Sequence, residues 1–314
     1  MPDRITSFLA GTEFDGWTRS RLAGDASARC YHRLTGPDGR SAILMDTPID
    51  QSASLDSFLR IAAHLSAMGL CAPRIVLAGP DTGLLVIEDL GAMDFAKWLS
   101  KTPLDEPVLY AAAVDVLIAI QSRAAPLGLT ALTPGYAAGM IAPLTEWYAP
   151  EAPLRPLTLA LQVALDSYAP LADQLALRDF HAENLIWRPH RPGTDRVGLL
   201  DFQDAVLAPP EYDLVSLLRD ARRDVSEAVV DAMIDRFACG TGRSVDMVRA
   251  ALACLSVQRN LRILGIFARL ARRDGKSRYL DLMPRVWGHV QRDLQHPALA
   301  RLAVLVTQHI PAPR

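Results

Sequence analysis

Three polar residues stand where the surrounding pattern calls for apolar ones. Asp179 and Asn184 form D-x-x-x-x-N and lead into the apolar run 185–187, and Asp201 closes a second apolar run, 197–200. A carboxylate and an amide oxygen on adjacent strand ends are hard ligands suited to Mg²⁺, which takes only part of its shell from protein. A second carboxylate held off the metal can orient a hydroxyl and accept its proton. Together these groups fit phosphoryl transfer, in which positioning and charge neutralisation supply most of the catalysis. Asp179 is the expected base, and Asn184 and Asp201 are the expected metal ligands. The bare D-x-x-x-x-N spacing is common by chance. Followed by strand, turn, strand and a closing carboxylate, it is far more specific than a hairpin capped by Asp and Asn.

The elements around it must bring these groups together. The stretch 188–196, with its prolines and glycine, suits a hairpin turn between the two runs. Upstream, Gly24 and Asp25 suit a turn, and small residues follow. Residues 28–34 then alternate, placing Arg29, Tyr31 and Arg33 on one face, and Gly36-Pro37-Asp38-Gly39 turns the chain into a partner strand over 41–45. The small-residue loop can lay backbone N–H groups and the Ser27 hydroxyl over phosphates. Helical spacing predicts a helix over 55–68 that stops at Gly69, and 71–79 and 83–91 read as two more strands. Helices are expected over 94–99, over 108–122 as the central helix of a large lobe, and over 157–175. Further helices are expected from Tyr212 and over 225–239, 245–271 and 279–294, with Gly240 and Gly275 as breaks. Between them, 125–156 is rich in proline and carries Trp147 and Tyr148, as an insert over the substrate side or a surface loop.

The stretch 177–204 resembles the aminoglycoside phosphotransferase and choline kinase superfamily. More narrowly, the chain resembles the anomeric sugar kinases that phosphorylate N-acetylmuramate and N-acetylglucosamine in cell-wall recycling. The carrying segments are 24–34, 43–46, 201–205, 212–220 and 258–270. The resemblance implies an α+β, bilobal, protein-kinase-like fold. A small antiparallel-sheet N-lobe would span 1–90, and a larger, mainly helical C-lobe 91–314, with the catalytic hairpin at 177–204. It implies ATP as co-substrate with Mg²⁺, an amino sugar as acceptor, and an interlobe hinge at Glu88 whose backbone meets the adenine. It also implies that Asp213, near the start of its helix, braces the catalytic loop, and that His181 supports that loop by hydrogen bonds. The alternatives are another small-molecule kinase, of the aminoglycoside or choline type, and a catalytically silent nucleotide-binding regulator.

Two departures bear on that choice. Protein kinases hold the phosphates with a third-strand lysine paired to a glutamate on the next helix. Here the first lysine is Lys97, the expected position is occupied by Met45, and the acid on the 55–68 helix is Asp56. Arg29, or failing that Arg33, is expected to carry the phosphate charge instead. Leu177 stands where related loops carry histidine, and Gln203 where protein kinases have glycine, which argues against a mobile activation segment.

Composition narrows the rest. Half of the 314 residues are hydrophobic, 22% are charged and the net charge is −2, so nucleic acid and anionic membranes are not expected partners. Four scattered cysteines without a C-x-x-C read as reduced thiols of a cytoplasmic protein. No obligate protein partner is evident. From Arg219 onward there are seventeen basic residues against nine acidic ones, which leans against a polycationic acceptor. N-acetylmuramate carries a lactyl carboxylate that Arg259 or Arg262 could clamp. Asp204 is a candidate ligand for a sugar hydroxyl, and Trp147 and Tyr148 are candidates for stacking on the ring.

Overall fold

Alternating strands and turn chemistry organise the first third of the chain. The computed structural model describes residues 3–22, 29–48 and 52–313. In chain order they form α1 (Arg4–Leu9), β1 (Thr18–Arg21), β2 (Cys30–Thr35), β3 (Ser41–Asp46), α2 (Ser52–Ala67), β4 (Ile75–Gly79) and β5 (Leu84–Glu88). Then come α3 (Phe95–Lys101), α4 (Glu106–Gln121), α5 (Pro134–Gly139), α6 (Leu154–Tyr168), β6 (Gln174–Ala176), β7 (Leu185–Trp187), β8 (Val197–Leu199) and β9 (Val206–Ala208). The chain ends with α7 (Tyr212–Leu218), α8 (Glu227–Thr241), α9 (Val245–Arg272), α10 (Met283–Asp293) and α11 (Ala300–His309). They pack as two compact units, one of residues 1–98 and 183–204, the other of 99–182 and 205–314.

The first unit is built on a five-stranded antiparallel sheet of order β1-β2-β3-β5-β4. One face buries Leu34, Ala42, Leu44, Leu84 and Val86 against Leu9 and Phe14. By register, the other face carries Tyr31, Arg33, Ile43, Met45, Leu85 and Ile87. Helix α2 buries Leu55, Phe58, Ile61, Ala62 and Leu65, the repeat expected of one helical face. The β7–β8 hairpin belongs to this unit. Leu199 donates its N–H to the Cys71 carbonyl (2.8 Å) and Trp187 to that of Met93 (2.9 Å). Gly198 leaves room for Leu90, whose Cδ1 would lie 2.9 Å from an added Cβ. Phe202, just past the hairpin, stacks on Phe58 with ring centroids 4.9 Å apart.

The second unit is helical, with a small β6–β9 ladder. Its central element is α9, against which α6, α7, α8 and α10 all pack. The sequence reading gave that place to 108–122; α4 is well buried, but α9 has more partners because it is 28 residues long. It is the one helix among the described residues long and apolar enough to cross a membrane, and 78% of its apolar window is buried inside the protein, as in a core helix.

Three expected boundaries move. The helix expected over 157–175 ends at Tyr168, because Pro170 disfavours helical backbone at Ala169, and 174–176 pairs as β6 instead. Gly240 does not break its helix: it lies inside α8, where it lets Ile118 approach, and the helix stops at Gly242, whose φ is +67°. The expected 279–294 helix begins as a 3₁₀ turn, Ser277–Leu282, with the α-helix starting at Met283.

The proline-rich 125–156 segment contains α5 and a π-helical turn, Leu144–Tyr148, packed on α9. Gly265 makes that approach possible. A Cβ there would lie 2.2 Å from the Pro143 carbonyl carbon and 2.4 Å from the Leu144 nitrogen, backbone atoms that cannot rotate away. Gly265→Ala is therefore expected to destabilise the protein by about 1–3 kcal/mol, although alanine normally favours a helix. Urea unfolding checks this, and a more stable variant would show that the turn does not rest on the helix in this way.

Candidate active site

In the first unit, the β7–β8 hairpin ties two of the three chemical residues together. Leu200 donates its N–H to the Asn184 carbonyl (3.0 Å), so the start of one strand is fixed to the residue before Asp201. Asp201 has φ +59°, a left-handed conformation that non-glycine residues rarely adopt. Its side chain is exposed, and one carboxylate oxygen accepts a bond from Gln203 Nε2 at 2.7 Å. An exposed carboxylate and a partly exposed amide, both supplying oxygen, fit a hard divalent cation that keeps water and phosphate in its shell. No group of three or more His, Cys, Asp or Glu among the described residues forms a metal cage.

The same unit places the candidate phosphate arginines. Arg29 is buried, bonding Ser54 Oγ of α2 and the Tyr31 side chain. Arg33 points to a carboxylate instead, forking onto Asp89 with Nε at 2.7 Å and Nη2 at 3.2 Å. Met45, in the place of the kinase lysine, is fully buried. The Glu88 N–H bonds the Arg74 carbonyl (2.8 Å), and Ser27 lies outside the described residues. Tyr31 was not singled out from sequence. Burial raises its pKa, and the nearby charges are Arg29, which lowers it, and Asp201 and Asp204, which raise it. The signal was its position beside Arg29 on an alternating strand.

In the second unit, the loop over 177–182 is gripped by side chains from α7 and α9. Asp213, buried, accepts N–H bonds from Leu177 (2.5 Å) and Arg178 (2.9 Å). Ser216 Oγ and Arg259 Nη1 both donate to the Arg178 carbonyl, at 3.1 and 3.2 Å. Arg178 has φ +73°; it and Asp201 are the only non-glycine residues with positive φ among those described. Asp220 accepts the Ala182 N–H at the far end of the loop. Ser216 and Asp220 were missed, although their spacing from Asp213 (three and seven residues) is that of one helical face.

Asp179 stays half exposed, with an oxygen 3.9 Å from Arg259 Nη2. Arg259 also lies over the Tyr212 ring, 6.0 Å from its centroid, and Arg262 feels the charges of Tyr212, Arg178, Arg259 and Asp179. The structure thus brings Arg259 to Asp179, with Arg262 three residues on along the same helix. His181 is buried, with Nε2 3.4 Å from Arg222 Nη1. Burial first, then Arg222 and Arg259, hold its pKa well below the usual value, so it is neutral. Trp147 and Tyr148 lie on the π-helical turn. The Trp147 carbonyl accepts from Arg272 (2.8 Å), and the Tyr148 hydroxyl donates to the Pro311 carbonyl (2.6 Å).

Asp213 makes this half of the site sensitive to pH. Burial pushes its carboxyl from 3.8 up to about 6, against the two backbone N–H bonds and Arg259, which pull it down. The folded protein therefore holds this proton more tightly than the unfolded chain. The stability it contributes is complete below about pH 4 and is lost as pH rises through about 6, by roughly 3 kcal/mol. Asp213→Asn should flatten that slope in urea unfolding between pH 4 and 7, while lowering stability at pH 4 because one loop N–H loses its acceptor. An unchanged slope would remove Asp213 as its source.

Comparison with known proteins places this geometry. The model of the phosphotransferase enzyme family matches residues 18–249. A Caulobacter vibrioides protein named N-acetylmuramate/N-acetylglucosamine kinase is 36% identical over 97% of this chain and 95% of its own length. A Pseudomonas aeruginosa protein of the same name is 31% identical over 90% and 86%. Among solved structures, a choline kinase from Streptococcus pneumoniae superposes with a TM-score of 0.62 at 15% identity, covering 91% of this chain and 93% of its own. An aminoglycoside 2'-phosphotransferase in complex with GDP gives 0.66 at 13% identity, covering 94% and 98%. The chain belongs to the phosphotransferase enzyme family, a kinase with the mixed fold, opened by an antiparallel sheet, of the choline and aminoglycoside kinases.

Proposed function

We propose that this enzyme transfers the γ-phosphoryl group of ATP to the anomeric hydroxyl of N-acetylmuramate or N-acetylglucosamine. The observation that carries the reading is 36% identity, across nearly the whole chain, to a relative bearing that name. The arginines around Asp179 support it, because a polycationic aminoglycoside would be repelled there. The nucleotide is assigned to 1–90 and the acceptor to 91–314. With ATP as donor, the cytoplasm is the expected compartment.

In this reading Asp179 orients the acceptor hydroxyl and takes its proton as the sugar oxygen bonds to the γ-phosphorus of ATP and the bond from that phosphorus to the bridging oxygen breaks, releasing ADP. An anomeric hydroxyl is the most acidic on a reducing sugar, so a carboxylate beside Arg259 is an adequate base. Asn184 and Asp201 would hold Mg²⁺, which would supply charge neutralisation to the nucleotide phosphates. Gln203 keeps the Asp201 carboxylate in one orientation. Asp204, exposed at the end of its unit, remains the candidate ligand for a sugar hydroxyl, and Trp147 and Tyr148 the candidates for stacking on the ring.

The test is the product. With N-acetylglucosamine and ATP-Mg²⁺, a non-reducing, acid-labile 1-phosphate is expected, and Asp179→Asn should lower turnover at least ~10²-fold with ATP affinity nearly unchanged. A 6-phosphate, turnover only with aminoglycosides or choline, or near wild-type turnover by the variant would each reject part of this reading.

The buried Met45 favours a second reading, nucleotide binding without turnover. The phosphate arginine decides between them. Arg29→Ala should raise the KM for ATP and lower kcat, whereas Arg33→Ala, which breaks the pair with Asp89, should mainly reduce stability. Unchanged ATP kinetics in Arg29→Ala would leave phosphate binding to backbone amides and the metal.

A further inference from the structure

Two arginines one helical turn apart on α9 have different surroundings. Arg259 is committed: one guanidinium nitrogen donates to the Arg178 carbonyl at 3.2 Å, another lies 3.9 Å from Asp179, and the group covers the Tyr212 ring. Arg262, three residues on and so on the same face, is half-buried, with Tyr212, Arg178, Arg259 and Asp179 as the charges that act on it. It forms no hydrogen bond or ion pair with any of the described residues. Four other arginines of this unit at comparable or deeper burial hold a carboxylate at 3.0 Å or less: Arg219 with Asp293, Arg223 with Glu106, Arg243 with Glu211 and Arg285 with Asp224.

A guanidinium that is partly desolvated, flanked by two further guanidinium groups and lacking a carboxylate of its own is electrostatically unsatisfied. Burial, and then Arg178 and Arg259, pull its pKa down; Tyr212 and Asp179 act the other way. Asp179 cannot serve as its permanent partner, since it already lies beside Arg259 and must meet the acceptor hydroxyl. An incoming anion would relieve the excess, and a carboxylate matches the guanidinium fork in bidentate fashion. The two arginines are about 4.5 Å apart along the helix axis. On N-acetylmuramate the lactyl carboxylate is carried at C3, two ring atoms from the reacting anomeric centre, so one ligand presents both a hydroxyl for Asp179 and a carboxylate for a guanidinium.

We infer that Arg262 is the anion clamp of the acceptor subsite, pairing the lactyl carboxylate of N-acetylmuramate and setting the preference for acidic over neutral amino sugars, while Arg259 is a positioning residue for Asp179. This rests on the function proposed above and adds to it the residue that discriminates between the two sugars.

Steady-state kinetics with both sugars test it. Arg262→Gln should lower the ratio of kcat/KM for N-acetylmuramate to that for N-acetylglucosamine by about 10- to 100-fold, mostly through the KM for N-acetylmuramate. Arg262→Lys should restore part of that ratio. Arg259→Gln should instead lower kcat with both sugars alike. A ratio within about threefold of wild type in Arg262→Gln overturns the inference, as does a ratio that Arg259→Gln shifts equally. Should Arg262→Gln not fold, the wild type assayed with the methyl ester of N-acetylmuramate serves: its KM should rise by the same factor, and an unchanged KM overturns the inference. A wild-type enzyme that phosphorylates neither sugar but turns over another acceptor rejects the proposed function itself, and the clamp with it.

Discussion

The interaction on which the loop carrying Asp179 depends is the pair of backbone N–H bonds accepted by the buried Asp213 carboxylate. They hold Leu177 and Arg178 just as the chain turns into Asp179. Arg178 is left-handed there, a conformation costing about 1–2 kcal/mol for a residue with a Cβ, and it persists because its N–H and its carbonyl are both held. Asp213 and Ser216 can act on the same peptide because they lie three residues apart on α7, a helix whose seven residues are all buried. Strain beside the Asp179 carboxylate is thus maintained by a short helix with little freedom of its own.

Deeper in this unit, further polar groups fix α10 to α9. Asp293 accepts from Arg219 at 3.0 Å and from Ser256 at 2.5 Å, and Asn260 in turn donates to Ser256 at 3.1 Å. All four are buried, so removing one partner would leave a charge or a dipole without solvent, which is far costlier than losing a surface pair. His289 belongs to the same region, held at a pKa of about 4 chiefly by burial. Because α9 also carries Arg259 and Arg262, the network that anchors it sets where those guanidinium groups stand.

The first unit meets a different demand. Its hairpin is packed by Phe58 against Phe202 and by Leu90 over Gly198, and Asp201 at its end is left-handed. Met45 shows how a family pattern can be altered without disturbing the sheet: an apolar residue fills the inward position between Tyr31 and Leu85, and Arg29 and Arg33 each lie two residues from its partner Tyr31. Arg33 is paired instead with the Asp89 carboxylate.

Sequence alone was enough for what depends on local pattern. The hairpin, its Asp and Asn termini, the N-terminal strands and most helices follow from periodicity and turn residues, and the family followed from the motifs they carry. Helix ends set by a neighbour were not legible in this way: Gly240 looks like a stop but is a point of contact with Ile118. Roles that arise between distant segments were equally hidden. Nothing local distinguishes Arg29 from Arg33, or Arg259 from Arg262, since each pair shares one face of one element. Only tertiary structure set Asp89 opposite Arg33 and the Arg178 carbonyl against Arg259, because the role of a guanidinium is decided by which oxygens the fold brings within reach of it.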